Sequence, residues 1–324
     1  MTGADVPLGV VLRDPLPWDE ALDVVRTAED TGYEAVFVPE IQAREAFATL
    51  AGFAANTERI RLGTGIVTVA SRAPATTAMA AATVHEASGG RMILGIGSGG
   101  ATRDQHPLAL VQDYARFARA ALAGEPARSE RFGVDGFELG VALPSPVPVW
   151  LAALGDRMIA LAGRVADGVL LNWCTPERVA SARAALAASA EAAGRDPSEV
   201  TVAVYVRACL GVEEDLALGP LRSMAGMYAS FPAYARQMEA MGLGEDATRA
   251  AAAHAARSPE GVPESLVRAL TVTGDRKQAR ARFDAYRDAG ADLVLCYPVA
   301  VDRDAYSSVL GTVLAAAPTP AVER

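Results

Sequence analysis

The sequence lacks the features that mark several large classes of protein. It has no uninterrupted apolar run of about 18 residues, so we expect no membrane-spanning helix. Acidic residues outnumber basic ones by 39 to 30, and no basic run occurs, which argues against a nucleic-acid partner. Residues 1–7 have neither the basic segment nor the apolar core of a signal peptide. We therefore expect a cytoplasmic protein that acts on a small molecule.

Residues for covalent and metal chemistry are also scarce. The three cysteines, Cys174, Cys209 and Cys296, are too widely spaced for a disulfide framework or a zinc site, so we expect buried free thiols. No H-x-H or H-E-x-x-H pattern and no carboxylate–histidine cluster occurs, so we expect no dedicated metal site. Lys277 is the only lysine and lies in a predicted helix, which argues against a Schiff-base lyase.

What the sequence does contain is a regular alternation of short apolar runs and longer helical patterns. The predicted strands are residues 8–12, 35–38, 60–69, 91–97, 149–152, 168–172, 200–208 and 292–296. The predicted helices are residues 18–31, 46–56, 75–87, 108–123, 156–166, 176–193, 275–289 and 303–316. This alternation is typical of a parallel sheet with crossover helices, and eight units predict an α/β fold, a (β/α)8 TIM barrel. We expect one domain over residues 1–324.

One segment, residues 213–270, interrupts this alternation with helical pattern and no strand. It follows the seventh strand and so belongs at the mouth of the barrel, where active sites of this fold lie. Its apolar residues either pack a local core or form a wall of a substrate pocket, and both can be true. These residues are Met224, Met227, Tyr228, Phe231, Tyr234, Met238 and Met241.

Arginines follow several of the predicted strands and therefore share the mouth of the barrel. Because a guanidinium presents forked donors, this pattern favours an anionic ligand, although arginines also occupy ordinary exposed loops. The residues expected at the mouth are Arg13, Glu40, Arg44, Ser71, Arg72, Ser98, Arg103, His106, Arg157, Asn172, Trp173, Arg207 and Tyr297.

Two of the loops at the mouth contain glycines. Gly95 to Gly100 match G-x-G-x-x-G, but the acidic residue of a dinucleotide-binding fingerprint is missing from the helical region that follows. Small residues at a strand end instead allow a flat ring to approach the backbone. Residues 154–158 place Gly155 at a helix N-terminus, where amides can bind an anion, although Asp156 is also an ordinary N-cap.

Three residues are candidates for the catalytic chemistry. Glu40 directly follows the second strand, where it can orient a ring, move a proton or simply pair with Arg44. His106 lies in the loop after the fourth strand and belongs to the residue type that titrates near neutral pH.

Four stretches of the sequence together resemble the bacterial luciferase-like family, and most closely its coenzyme F420-dependent oxidoreductases. They are RIRLGTGIV from Arg59, SGGRMILGIGSG from Ser88, LAALG from Leu151 and AGRVADGVLLNW from Ala162. The resemblance extends over essentially the whole chain. It implies a (β/α)8 barrel with an insertion over the mouth and, in the manner of relatives, a homodimer formed through the helices that flank the second and third strands.

The resemblance also implies a cofactor site. A non-prolyl cis peptide at Gly65–Ile66 would support the middle ring, and the end of the fourth strand would line it, through Gly97, Ser98 and Gly99. The cofactor phosphate would lie at Ala153, Leu154, Gly155, Asp156, Arg157 and Met158. Asn172 and Trp173 would lie near the cofactor tail or form the pocket wall.

The sequence departs from the family at one catalytic position. Many relatives carry an acid–histidine pair after the second strand, where this chain has Glu40 and Ile41. Our hypothesis is that Arg44 or His106 replaces the missing donor.

These observations predict an oxidoreductase that transfers a hydride between C5 of coenzyme F420 and a small organic substrate. One alternative is a two-component monooxygenase that uses reduced FMN and oxygen and depends on a flavin reductase as partner. A second alternative is a flavin-binding paralogue without catalytic activity.

Overall fold

A computed structural model describes residues 7–13, 16–99, 106–301 and 304–318. The strands are β1 Leu8–Val11, β2 Ala35–Val38, β3 Arg61–Thr64, β4 Val67–Thr68, β5 Met92–Gly97, β6 Ala127–Ser129, β7 Val134–Phe137, β8 Val149–Ala153, β9 Gly168–Asn172, β10 Thr201–Leu210, β11 Thr271–Gly274 and β12 Leu293–Pro298. The helices are α1 Trp18–Asp30, α2 Ala46–Ala54, α3 Pro74–Ala87, α4 Pro107–Leu122, α5 Asp156–Val165, α6 Pro176–Ala192, α7 Glu214–Ala229, α8 Pro232–Ala240, α9 Gly244–Ala255, α10 Glu264–Leu270, α11 Arg276–Asp288 and α12 Ala305–Ala316.

The principal strands are parallel and alternate with helices, as the sequence predicts. The eight barrel strands are β1, β2, β3, β5, β8, β9, β10 and β12. In the parallel pair of β2 and β3, Val36 is opposite Leu62, and in the pair of β10 and β12, Val204 is opposite Val294. The prediction of a (β/α)8 TIM barrel is confirmed.

Tertiary contacts divide the chain into two compact units. The first comprises Met1–Tyr33, Leu171–Arg183 and Ala203–Arg324, and the second comprises Glu34–Leu170 and Ala184–Val202. Strands of the first unit pair in the order β11, β10, β12, β1, and strands of the second in the order β2, β3, β5, β8. The boundary between the units falls within β9, after Leu170. That the chain is a single domain stays a prediction.

The strands differ from the sequence-based expectation in three places. The predicted third strand, residues 60–69, is broken into β3 and β4 at Gly65–Ile66. The hairpin of β6 and β7 was not predicted, because its strands have only three and four residues and contain few apolar ones. The four-residue strand β11 directly follows α10. Its short sequence therefore cannot be told apart from the helical pattern before it. It pairs with the end of β10, from Arg207 opposite Thr271 onwards.

Aromatic rings fill the core of the second unit where glycines make room for them. The rings of Phe37 and Trp150 stack with centroids 5.6 Å apart. A Cβ added at Gly63 would lie 2.4 Å from the Phe37 ring, and one added at Gly168 would lie 2.7 Å from the Trp150 ring. Both glycines belong to the stretches that carry the family resemblance, and packing alone accounts for them.

Arg91, in the same stretches, has a structural role. Its guanidinium donates to the carbonyl oxygens of Ser88 (2.8 Å), Ile60 (2.8 Å), Thr57 (2.9 Å) and Ala54 (3.1 Å). It therefore satisfies carbonyls at the end of α2 and in the turn that leads to β3.

The insertion folds as the helices α7 to α10 of the first unit. Met238 is fully buried in an apolar cluster with residues such as Leu221 and Leu266. Tyr228 and Tyr234 are partly buried against that cluster. The apolar residues of the insertion thus pack into a buried cluster, which also includes Trp173, Cys209 and Val299 from outside the insertion.

All three cysteines are free and buried, which confirms the expectation for them. Burial raises the pKa of Cys174 and Cys296 to about 12 and that of Cys209 to about 11. Within the described ranges, no helix has the length and apolar character to cross a membrane. The same ranges contain no group of three or more histidine, cysteine or acidic residues placed to hold a metal ion.

Candidate active site

Glu40, the predicted catalytic carboxylate, lies just beyond β2 and is held by Arg72. Arg72 Nε donates to Glu40 Oε1 at 2.8 Å, and Arg72 Nη2 donates to Glu40 Oε2 at 2.6 Å. This bidentate geometry is the strong form of an ion pair. The side chains are 21% and 17% exposed, so solvent screens the pair only in part.

The first turn of α2 completes the network around Glu40. The backbone N–H of Ala46 donates to Glu40 Oε2 at 3.1 Å. Glu45 caps α2 through the N–H of Ala48 and also accepts a hydrogen bond from Arg72. The Arg72 guanidinium lies 4.9 Å from the centre of the Phe47 ring. The arginine is thus fixed from two sides.

This network decides the charge of Glu40. Burial acts to raise the pKa of the carboxyl, but the hydrogen bonds from Arg72 and Ala46 and the charge of Arg72 outweigh it, and the pKa is lowered. Glu40 is therefore ionised at neutral pH, and its carboxylate oxygens accept hydrogen bonds.

The structure shows an ion-pair partner of Glu40 to which the sequence assigned no role. This partner is Arg72, which follows β4. Arg72 has the reach because β4 ends beside the loop that carries Glu40. Arg44 is half-buried and Ile41 is 52% exposed. His106 is exposed at the N-cap of α4, and Arg103 lies outside the described residues. The hypothesis that Arg44 or His106 replaces the family histidine stays a prediction.

The peptide bond between Gly65 and Ile66 is cis, as the resemblance implies. Hydrogen bonds tie it to the end of β2, since Gly65 N–H donates to Val38 O at 2.8 Å and Glu40 N–H donates to Ile66 O at 3.2 Å. The structure therefore brings together the predicted ring-supporting peptide and the predicted catalytic carboxylate.

The glycines at the end of β5 keep this region free of side chains. A Cβ added at Gly97 would lie 3.0 Å from Ala152 Cβ and 3.2 Å from Ile66 Cδ1. Gly99 has a φ of +65°, and a Cβ there would lie 2.9 Å from Thr68 Cγ2. Ser98, between them, is half-buried. Three of the predicted cofactor residues, Ile66, Gly97 and Gly99, thus share one neighbourhood.

The predicted phosphate segment lies at the start of α5. Ala153 is buried at the end of β8, Leu154 and Met158 are half-buried, and Gly155, Asp156 and Arg157 are exposed. Gly155 is the N-cap, and no side chain of the described residues caps the helix. A Cβ added at Gly155 would meet nothing within 4 Å, so the backbone there is open to a ligand.

The first unit contains a second cluster, built around Arg207 of β10. Arg207 is only 1% exposed. Its guanidinium carbon lies 4.5 Å from the ring centres of Trp173 and Tyr297 and 5.2 Å from that of Tyr228. Its Nη1 donates to the side-chain oxygen of Asn172. We call Asn172, Trp173, Tyr205, Arg207, Tyr228, Tyr234, Gln237 and Tyr297 the Arg207 cluster.

Asn172 and Trp173, predicted near the cofactor tail or the pocket wall, are parts of this cluster. The Asn172 side-chain amide also donates to the Tyr234 hydroxyl at 2.8 Å. Gln237 Nε2 donates to the carbonyl oxygens of Asn172 and Trp173, both at 2.8 Å. Trp173 is fully buried, with a φ of 53°.

Three functional candidates were not assigned a role from the sequence. Arg72 and Arg207 were noted only as arginines after strands, and Gln237 was not noted at all. A bidentate pair between residues 32 positions apart leaves no local sequence signal. The sequence shows the helical pattern around Tyr234 and Met238. It does not indicate that Gln237, between them, donates to the carbonyl oxygens of distant residues.

Comparison with known proteins places the chain in a family. The family model described as luciferase-like monooxygenase matches residues 5–293. The chain belongs to this family. It is 30% identical to a 5,10-methylenetetrahydromethanopterin reductase of Methanolobus tindarius, over 91% of this chain and 96% of that protein.

Solved structures show the same fold. A coenzyme F420-dependent tetrahydromethanopterin reductase from Methanopyrus kandleri superposes with a TM-score of 0.81 at 22% identity, over 96% of this chain and 98% of that one. An F420-dependent secondary alcohol dehydrogenase, solved with an F420–acetone adduct, gives 0.73 at 17% identity, over 96% and 99%.

Proposed function

We propose that this protein is a coenzyme F420-dependent oxidoreductase that transfers a hydride between C5 of the deazaflavin and a small organic substrate. The observation that carries the proposal is the glycine-lined end of β5, which lies beside Ile66 and so near the end of β2 that leads to Glu40. Backbone without side chains provides a flat surface for a fused ring system. Two similar solved structures are named as F420-dependent enzymes, which supports the same cofactor here.

The residues present fit this cofactor. Gly97 and Gly99 leave room where larger residues would collide with Ala152 and Thr68. The start of α5 at Gly155 offers backbone N–H groups and the positive end of the helix to the cofactor phosphate. When bound, the deazaflavin supplies a carbon, C5, that gives or accepts a hydride.

The role of the protein is then to orient the reactants and to manage a proton. Glu40 is fixed as a carboxylate by Arg72, with one hydrogen bond at Oε1 and two at Oε2. Because each carboxylate oxygen offers about two acceptor sites, Oε1 keeps one for a donor on the ligand. We assign to Glu40 the orientation of the ligand and the acceptance of a proton at Oε1, which its ionised state at neutral pH permits although its lowered pKa makes it a weak base.

The test is a pair of binding titrations of the purified protein, with oxidised F420 and with FMN. We expect tight binding of F420 and weak binding of FMN. In Gly97→Ala the added methyl group crowds Ile66 and Ala152, so we expect F420 to bind about tenfold more weakly, which is roughly 1.4 kcal/mol. The matched control is Gly140→Ala, where the methyl group meets nothing within 4 Å.

Other results would select the alternatives. Tight FMN binding with weak F420 binding would favour the two-component monooxygenase and a flavin reductase partner, with oxygen consumption as the next measurement. If the purified protein bound neither F420 nor FMN, the result would contradict the proposed function and favour a paralogue without catalytic activity. Formation of a homodimer stays a prediction, which light scattering checks.

A further inference from the structure

Four buried polar atoms of the Arg207 cluster have no hydrogen-bond partner among the residues that the structure describes. They are Trp173 Nε1, Tyr205 Oη, Arg207 Nε and Gln237 Oε1. Native proteins leave few such atoms, because each costs about 1–3 kcal/mol. Three of the four carry an N–H or O–H that can donate. Several unpaired donors that lie together would be satisfied by a ligand group that accepts hydrogen bonds.

These atoms belong to one packed assembly rather than to scattered sites. Tyr205 and Arg207 are two residues apart on β10 and so share one face of the strand. Arg207 stacks on Trp173, and Gln237 is bonded to the carbonyl of Trp173. The ring of Tyr205 also contacts that of Tyr297, which in turn lies against Arg207.

The cluster holds a positive charge that no described residue of the protein balances. Arg207 has no carboxylate within ion-pair distance in the part of the chain that the structure describes. Burial raises the pKa of Tyr205 and of Tyr234, and it raises that of Cys174 to about 12, so these groups are neutral at physiological pH. A buried cation without a counter-charge is costly, and proteins normally pair it.

The surroundings of the guanidinium fit an organic anion. Burial of the Arg207 guanidinium costs free energy, which is partly offset by cation–π contacts with the rings of Trp173, Tyr228 and Tyr297. Trp173 and Tyr297 are buried, whereas Tyr228 is only partly buried and the neighbouring Phe231 is 46% exposed. The cluster is therefore nearest to solvent at the junction of α7 and α8.

We propose that the Arg207 cluster binds a carboxylate group of the organic substrate, with Arg207 as the specificity-determining residue. The carboxylate accepts from Arg207 and from the unpaired donors of Trp173 and Tyr205, and so satisfies both charge and hydrogen bonds. The assignment to the substrate rests on the proposed function, in which the phosphate of the cofactor is bound at the start of α5.

The test uses small carboxylates and their neutral amides as probes. Acetate and benzoate, at constant ionic strength, should raise the melting temperature and change the tryptophan fluorescence, since Trp173 stacks on Arg207. Acetamide and benzamide should do neither. In Arg207→Met, which keeps the apolar stem, we expect carboxylate binding to weaken at least tenfold, and Arg207→Lys should restore part of it.

Arg282→Met is the matched control. Arg282 also stacks on a tyrosine, with its guanidinium carbon 5.1 Å from the centre of the Tyr286 ring, but it donates to the carbonyl of Ala269. Its loss should leave carboxylate binding unchanged. Equal loss in both variants would overturn the proposal.

The wild-type protein alone can also overturn the proposal, whether or not the variants fold. If it does not distinguish acetate from acetamide or benzoate from benzamide, the cluster is not a carboxylate site. If Arg207→Met binds F420 at least tenfold more weakly, the anion belongs to the cofactor and the substrate assignment is wrong. Failure of the wild-type protein to bind F420 contradicts the proposed function, but the carboxylate titration still reports on this site.

Discussion

Two arginines that the sequence placed at the mouth of the barrel are used in opposite ways, one after β4 and one within β10. Arg72 meets two carboxylates of its own unit, Glu40 and Glu45, and lies beside the ring of Phe47. Arg207 is more deeply buried, meets three aromatic rings and an amide, and has no carboxylate among the residues the structure describes. The first arginine is neutralised within the protein, and the second is not.

The difference shows why position alone does not define an anion site. Both residues were expected at the mouth of the barrel from their place after a strand. Arg72 donates two hydrogen bonds to Glu40 and so fixes a carboxylate for the ligand. Arg207 Nε, in contrast, has no partner among the residues that the structure describes. A guanidinium whose donors are taken by carboxylates of the protein has fewer left for an external anion.

The largest expected change in unfolding free energy tests whether the packing of β3 against β5, close to Glu40, is rigid. Thr64 Oγ1 bonds both the carbonyl and the N–H of Gly95, each at 2.8 Å, and a Cβ at Gly95 would lie 2.1 Å from the backbone oxygen of Thr64. Gly95→Ala should therefore separate β3 from β5 and lower the free energy of unfolding by roughly 3 kcal/mol or more. Urea denaturation measures the change.

Gly140→Ala is the control for this variant, because its methyl group meets no atom within 4 Å. Its unfolding free energy should stay within about 0.5 kcal/mol of the wild type. A Gly95→Ala protein as stable as that control would show that the strands beneath Glu40 adjust freely.

A smaller effect tests the backbone of the Arg207 cluster. In Gln237→Met, the buried carbonyls of Asn172 and Trp173 each lose a donor. We expect a loss of roughly 2 kcal/mol in unfolding free energy, from unpaired groups that water does not reach. The same change at the exposed Gln42 should have no measurable effect. Equal stabilities would mean that Gln237 does not order this cluster.

The smallest effect is the pH dependence of stability that arises from the ion pair of Glu40 and Arg72. The Arg207 cluster has no such carboxylate among the described residues. The pKa of Glu40 is lower in the folded than in the unfolded protein, so its contribution to stability is present above the unfolded value, near 4.5. The contribution is lost as the pH falls through the lower, folded pKa. Wild type should therefore exceed Glu40→Gln in unfolding free energy by about 1 kcal/mol at pH 7.

Denaturation of both proteins between pH 7 and pH 3 measures this difference, with the exposed Glu239→Gln as control. The gap between wild type and Glu40→Gln should narrow toward acid. A gap that is constant across this range would contradict the lowered pKa.

Much of the fold was predictable because its signals are local. Strands β2 and β9 have the predicted bounds, and most helices differ by one or two residues at their ends. Buried parallel strands leave continuous apolar runs, and amphipathic helices leave a period. Strand β11 and the β6–β7 hairpin were missed, because strands of three or four residues are too short to give a clear pattern.

The site was predictable only where residues adjoin in sequence. The cis peptide at Gly65–Ile66 and the glycines of β5 lie in stretches that carry the family resemblance. The partner of Glu40 and the unpaired state of Arg207 depend on contacts across 32 or more positions. Such contacts arise from packing, and no spacing rule contains them.

The comparison of the two arginines is tested most directly by the unfolding free energies of Arg72→Met and Arg207→Met without ligand. Arg72→Met leaves Glu40 partly buried without its partner, so it should lose about 2 kcal/mol. Arg207→Met removes a buried charge that the protein does not balance and keeps the stem, so it should stay within about 0.5 kcal/mol of wild type or exceed it. If Arg207→Met instead loses as much as Arg72→Met, then Arg207 is a structural support, and its charge does not await a ligand.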